Sequence, residues 1–184
     1  MPALTRSTAY TPLPAARLNE YATEIERMAT GLFGNLTNTA RPLTIVRRTS
    51  NLTIATNLAV IIAWQTASLD SAQLPMWDPA NPTILTVRTP GQYLLMGNVR
   101  WDGGTTGIKV SALLKNATND LGSVGSNAIP GLTSGEAAPT PTIGVEPLVA
   151  GDLIRLDCYQ TSGANRTLVT DKGGTRLAAL WLGP

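Results

Sequence analysis

Two hydrophobic periods divide the chain. Between residues 13 and 33 the apolar side chains Leu18, Tyr21, Ile25, Met28 and Leu32 are spaced three, four, three and four apart, which gathers them on one stripe of a helix across two heptads. Thr11 and Pro12 supply a helix start, and Pro14 falls in the first turn, where a missing backbone donor costs nothing. Arg17, Glu20, Glu24, Glu26 and Arg27 lie off the stripe, and Gly31 and Gly34 offer C-terminal caps. The pattern predicts a helix over about residues 13–33. Such a helix is marginal by itself in water. Its stripe therefore has to pack on something: the chain's own domain, a short bundle between copies, or a larger partner.

From Leu43 onward the period changes to two. Strand candidates follow at 44–49, at 59–66 with Val60, Ile62 and Trp64 on one face, and at 84–89. The clearest is 92–102, with Tyr93, Leu95, Gly97, Val99 and Trp101 on one face and Leu94, Met96, Asn98 and Arg100 on the other. Segments 107–115, 140–145, 152–160 and 176–182 complete the series, separated by Gly, Pro, Asn and Asp clusters. Strands in sequence without interposed helices indicate an antiparallel sandwich, of jelly-roll type, rather than a parallel sheet. The expected fold is thus all-β, with one N-terminal α-helix, divided into an arm and helix at 1–40 and a sandwich at 43–184. Long loops are expected at 67–82 and 117–138, where surface chemistry would sit. Trp64, Tyr93, Trp101, Tyr159 and Trp181 should divide between core and interface, with Tyr93 in the sandwich.

Composition narrows the function. At 184 residues the chain holds one ordinary domain and a short appendage. It has no histidine and a single cysteine, Cys158, which excludes an internal disulfide and most zinc and triad chemistry. A net charge of +2 gives no reason to expect a nucleic-acid partner. Arg47 and Arg48, the only adjacent basic pair, read as one solvated and one packed side chain on a strand. No apolar run is long enough for a membrane span, and residues 1–17 lack the apolar core of an export signal. Four Asn-x-Thr sequons, beginning at Asn35, Asn51, Asn116 and Asn165, read as chance in a Thr-rich chain.

Catalysis by carboxylates would need a pair in one groove. Asp70, Asp78, Asp102, Asp120, Asp152 and Asp157 form no such constellation by spacing. Asp152 and Asp157 would point to opposite faces of a regular strand. Asp78, between Trp77 and Pro79, suits a turn-capping acid in a surface loop. Phosphate-binding loops and nucleophile elbows are absent, and Gly103, Gly104 and Gly107 read as a hairpin loop. Cys158 reads as a small buried hydrophobe. No cofactor, metal or enzymatic activity is expected.

Met76-Trp77-Asp78-Pro79-Ala80-Asn81-Pro82, then Leu85-Thr86-Val87 and Pro90-Gly91-Gln92-Tyr93, then Gly151-Asp152 before a late strand and the apolar close of 177–182, come in an order that resembles the C1q/TNF-like jelly roll. The similarity is strongest to the C1q-like domains of tailed-bacteriophage virion proteins, and it covers residues 43–184. The resemblance implies a homotrimer. It further implies a structural virion protein, a decoration or head-fibre protein held on the major capsid protein through its N-terminal arm. The alternative it leaves is a minor tail or tail-fibre protein, touching other tail proteins and binding a host surface glycan or protein through loops such as that of Trp77 and Asp78. Either way the expected location is the virion surface, after assembly in the bacterial cytoplasm, where Cys158 stays reduced. The collagen-like stalk of animal relatives is not present in the sequence.

Overall fold

The computed structural model describes residues 42–71, 74–119, 122–131, 138–171 and 174–184. The helix expected over 13–33, with Leu18, Tyr21, Ile25, Met28 and Leu32, lies outside the described residues. What is described is entirely β: β1 (Leu43–Arg47), β2 (Leu52–Ile54), β3 (Val60–Ile61), β4 (Thr66–Asp70), β5 (Leu85–Thr86), β6 (Gly91–Trp101), β7 (Ile108–Lys115), β8 (Ser123–Pro130), β9 (Ala138–Leu148), β10 (Leu153–Gln160), β11 (Arg166–Leu168) and β12 (Arg176–Gly183). Every ladder is antiparallel. The chain is a jelly-roll sandwich, as its period-two segments predict.

One sheet is organised around β6. Strand β9 runs along one side of β6 from Gly91 to Trp101. On the other side β12 pairs with residues 92–98, and β11 then takes over at Trp101. Beyond β12 lie β1 and β4, and beyond β11 lies β2. The second sheet runs β3-β10-β7-β8, with β5 also on β10.

The alternation in β6 is realised in the packing. Tyr93, Leu95, Val99 and Trp101 are fully buried between the sheets, where they meet Leu113 of β7, Ile154 and Leu156 of β10, and Leu177 and Ala179 of β12 in one core cluster. Two polar tips are satisfied inside it: the Tyr93 hydroxyl donates to the Thr89 carbonyl at 2.8 Å, and the Trp101 indole donates to the Thr140 hydroxyl at 3.2 Å. Glycine at position 97 leaves room for the side chains packed over it from the facing sheet and from β9. A Cβ there would lie 2.5 Å from Leu156 Cδ1 and 2.9 Å from Thr142 Cγ2. Gly97→Ala is therefore expected to cost about 1–3 kcal/mol through forced repacking, read as a lowered urea midpoint with an unchanged slope. A loss under about 0.5 kcal/mol would mean the sheets separate there freely.

Several expected boundaries shift, each for a physical reason. The strand expected over 44–49 stops at Arg47, ahead of a bend at residues 49–50; Arg48 keeps the inward direction of the alternation, and its guanidinium holds the bend by donating to the carbonyls of Ser50 and Ala63. The loop expected over 67–82 opens with β4, which Asp70 fastens: its carboxylate accepts from the Thr44 hydroxyl and from the amides of Met76 and Trp77. The loop expected over 117–138 contains β8, whose residues Ser-Val-Gly-Ser-Asn-Ala-Ile-Pro carry little apolar signal and gain their conformation by pairing with β7. Residues 102–107 are no hairpin, since β6 and β7 belong to different sheets. The segment crosses between them and is braced by Lys109, whose amine donates to Gly104 O, and by Arg166, which donates to Gly103 O.

Strand β9 extends the expected 140–145 to Ala138–Leu148 despite Pro139, Pro141 and Pro147. All three share the parity of Ile143, whose carbonyl points away from β6 toward β8; a Cβ on Gly125 of β8 would lie 2.7 Å from it. Prolines of that parity remove only N–H groups that would face the open side of the sheet.

Candidate functional site

The face of the β6 sheet turned away from the core is apolar where a solvated face would be polar. Register places its side chains in rows. One row crosses five strands: Leu69 of β4, Ile45 of β1, Ala178 of β12, Met96 of β6 and Ile143 of β9. The next row along the strands contains Leu43, Leu180, Leu94 and Val145. Four interstrand steps of about 4.8 Å make this face about 19 Å wide. Its outer members are well exposed, with Ile143 64%, Val145 57%, Leu69 48% and Met96 38% accessible. A groove of about 350 Å³ runs over it, lined by Ile45, Met96, Ala178, Pro141 and Ile143, with Asn98 and Arg176 at its polar end.

Contiguous apolar area of this kind marks an association surface. Along its two aliphatic rows it offers no side-chain donors or acceptors for a small polar ligand, and those rows suit a second protein surface. The aromatic residues expected to be shared with an interface are elsewhere. Trp64, Tyr93 and Trp101 are buried, Trp181 packs against the core with its indole on Pro90 O, and the Tyr159 hydroxyl reaches Asn57. The signal that would have found the face is the run Tyr93-Leu94-Leu95-Met96, in which both parities of an antiparallel strand are apolar, so both sides of the sheet need cover.

The loop residues singled out in the sequence take other positions. Trp77 is half-buried against the core, its indole facing Pro82 O at 3.4 Å. Asp78 is exposed and caps its own turn, accepting from Ala80 N at 2.9 Å and Asn81 Nδ2 at 3.2 Å. Arg47 is exposed and Arg48 buried, as their alternation suggests. Cys158 is buried, donates to Val60 O, and has its thiol pushed up by burial and by Asp157, against the opposing pull of Arg48. It is a packing residue, not a nucleophile.

Asp152 lies in the turn before β10 rather than in it, and is a fastening. Burial favours its neutral form, yet hydrogen bonds from Asn116 Nδ2 at 2.7 Å and Val149 N at 2.9 Å, with Lys115 at 3.5 Å, outweigh that and hold the carboxyl below its ordinary value. A carboxyl whose folded pKa is depressed stabilises the fold above its unfolded pKa, about 3.9, and loses that contribution as pH falls through the folded value. The difference in urea midpoint between the unmodified chain and Asp152→Asn should be full at about pH 6 and shrink as pH drops below about 4. A difference that stays constant with pH would show that the charge contributes nothing.

No protein-family model and no curated protein sequence matches this chain. Solved structures do match in fold. Murine APRIL at pH 5.0 aligns with a TM-score of 0.58 at 16% identity, over 77% of this chain and 99% of that one. Eiger TNF from S. frugiperda aligns at 0.55 and 12%, over 78% and 93%. The globular domain of zebrafish complement 1qA protein aligns at 0.53 and 11%, over 77% and 97%. The fold of this chain is the TNF/C1q-like jelly roll.

Proposed function

We propose that the chain is a homotrimeric, non-enzymatic structural protein of a tailed-phage virion, with residues 1–40 as its attachment segment on the capsid surface. The observation that carries the trimer is the aliphatic face spanning β4, β1, β12, β6 and β9. Left in water, its rows forgo about 25 cal/mol for every Å² of apolar surface that association would bury. Packing that face against neighbouring copies around a three-fold axis removes the exposure without an additional partner. The virion role rests on the ordered resemblance of Trp77-Asp78-Pro79, Gly91-Gln92-Tyr93 and Gly151-Asp152 to C1q-like phage domains. Three of the carboxylates that catalysis would draw on are committed to the fold, Asp70 to the β4 brace, Asp78 to its turn and Asp152 to Asn116 and Val149.

The test is the stoichiometry of the protein in purified virions, by quantitative mass spectrometry against the major capsid protein. A ratio of the same order as the capsid protein supports decoration of the lattice. A few copies per particle move the role to the tail and to receptor binding, and absence from virions overturns the reading.

A further inference from the structure

Met96 stands in the five-strand aliphatic row, between Ala178 of β12 and Ile143 of β9. Its side chain is 38% accessible and lines the groove on that face. The neighbour on one side is only the methyl group of Ala178, so the thioether is not walled in from there. The other methionine among the described residues, Met76, is 1% exposed in the core cluster. One thioether is thus shielded by the fold of the single chain, and the other is open to solvent. The open one also sits where a polar atom would be least welcome on association. Its own row supplies no side-chain hydrogen-bond donor, and the polar lining groups Asn98 and Arg176 belong to the next row of the sheet. Asn98 already donates to Gly174 O at 2.8 Å.

We propose that Met96 is an oxidation site that controls assembly: hydrogen peroxide converts its thioether to the sulfoxide in the free chain, and the oxidised copy is kept out of the trimer. The inference rests on the reading of this face as the contact between copies. In the chemical step a sulfur lone pair attacks one peroxide oxygen, the O–O bond breaks, an S–O bond forms and water leaves, so that sulfur gives two electrons to the peroxide. A flexible apolar side chain becomes a polar one carrying a strong acceptor. In the single chain that oxygen stays in water. In the trimer it would enter a row without donors, where an unpaired acceptor is costly. The relation is reciprocal, because association that excludes the oxidised chain also covers the sulfur of the unmodified one and slows its oxidation. Methionine sulfoxide reductases reverse the step.

The test treats the full chain with dilute hydrogen peroxide at protein concentrations below and above association. Peptide mass spectrometry follows oxygen addition at each methionine, and equilibrium sedimentation reads the assembly of the products. In the single chain Met96 should oxidise at least about tenfold faster than Met76, as its access dictates, and association should slow it by a similar factor. The oxidised chain should associate at least about tenfold more weakly than the untreated one, the effect of one buried acceptor left unpaired. Met96→Leu conserves volume and keeps the other three methionines; it should associate as the unmodified chain does, both before and after peroxide. Unchanged association once Met96 is oxidised, or association lost in peroxide-treated Met96→Leu, overturns the proposal and leaves the trimer standing. Oxidation of Met96 as fast in the assembled chain as in the free one removes this face from the contact, and the proposal with it. An unmodified chain that stays a monomer at every concentration overturns the trimer reading itself.

Discussion

The double variant Met96→Glu/Ile143→Glu is expected to sediment as a monomer at concentrations where the unmodified chain forms the proposed trimer. The two positions are directly opposite one another on β6 and β9, in the middle of the exposed aliphatic rows. In the isolated chain both carboxylates would remain in water, so the variant should keep its circular dichroism and lose about 1 kcal/mol, the repulsion of two like charges set opposite one another across the ladder. In a trimer the same groups would be buried unpaired, at a cost of several kcal/mol per contact, repeated at each interface. A thousandfold or greater weakening of association is the expected scale, about 4 kcal/mol. Equilibrium sedimentation reads it directly. A trimer that persists with its original dissociation profile would remove this face from the interface, and the trimer would then need another surface.

Tyr93→Ala should cost about 3–5 kcal/mol of unfolding free energy, the loss expected when a fully buried ring is truncated in a packed core. The partner variant Tyr93→Phe separates the ring from its hydroxyl. It removes only the 2.8 Å bond to Thr89 O and should cost about 1 kcal/mol. Burial and that backbone bond act in opposite directions on the phenol, burial being the larger, so its proton is held more tightly than in water. Urea denaturation of the three proteins gives both figures. An alanine loss under about 1 kcal/mol would place the side chain of residue 93 outside the sandwich and require a different register for β6.

The core strands were legible because their burial is one-sided. In β6 every second residue points between the sheets, so Tyr93, Leu95, Val99 and Trp101 announce their face through alternation alone. Elements that owe their conformation to a neighbour were not. Strands β2 and β11 have three residues each, too few to show a period, and exist by pairing with one another at Thr53 and Thr167. Strand β8 is polar and glycine-containing, and β9 carries prolines that argue against a strand unless it lies at an edge. The aliphatic face was legible only in fragments. Ile45, Met96, Ile143 and Ala178 are far apart in sequence, and it is the ladders that align them into one row. Asp78 as a turn acid and Cys158 as a buried hydrophobe followed from local chemistry and needed no tertiary information.

The proline-bearing strand has a consequence for the geometry of assembly. An edge that offers a full row of donors lets an incoming strand add, and each added strand exposes a fresh edge for the next, so growth is open-ended and leads to fibres. On β9, Pro139, Pro141 and Pro147 delete donors from that row. Glycines 125 and 144 meanwhile let β8 and β9 approach within a few ångströms across the gap between the sheets. Strand-by-strand polymerisation at this edge is thereby suppressed, and association is left to the broad face, where rotationally related copies can close into a finite ring. A protein crowded at high density can then stay as discrete units.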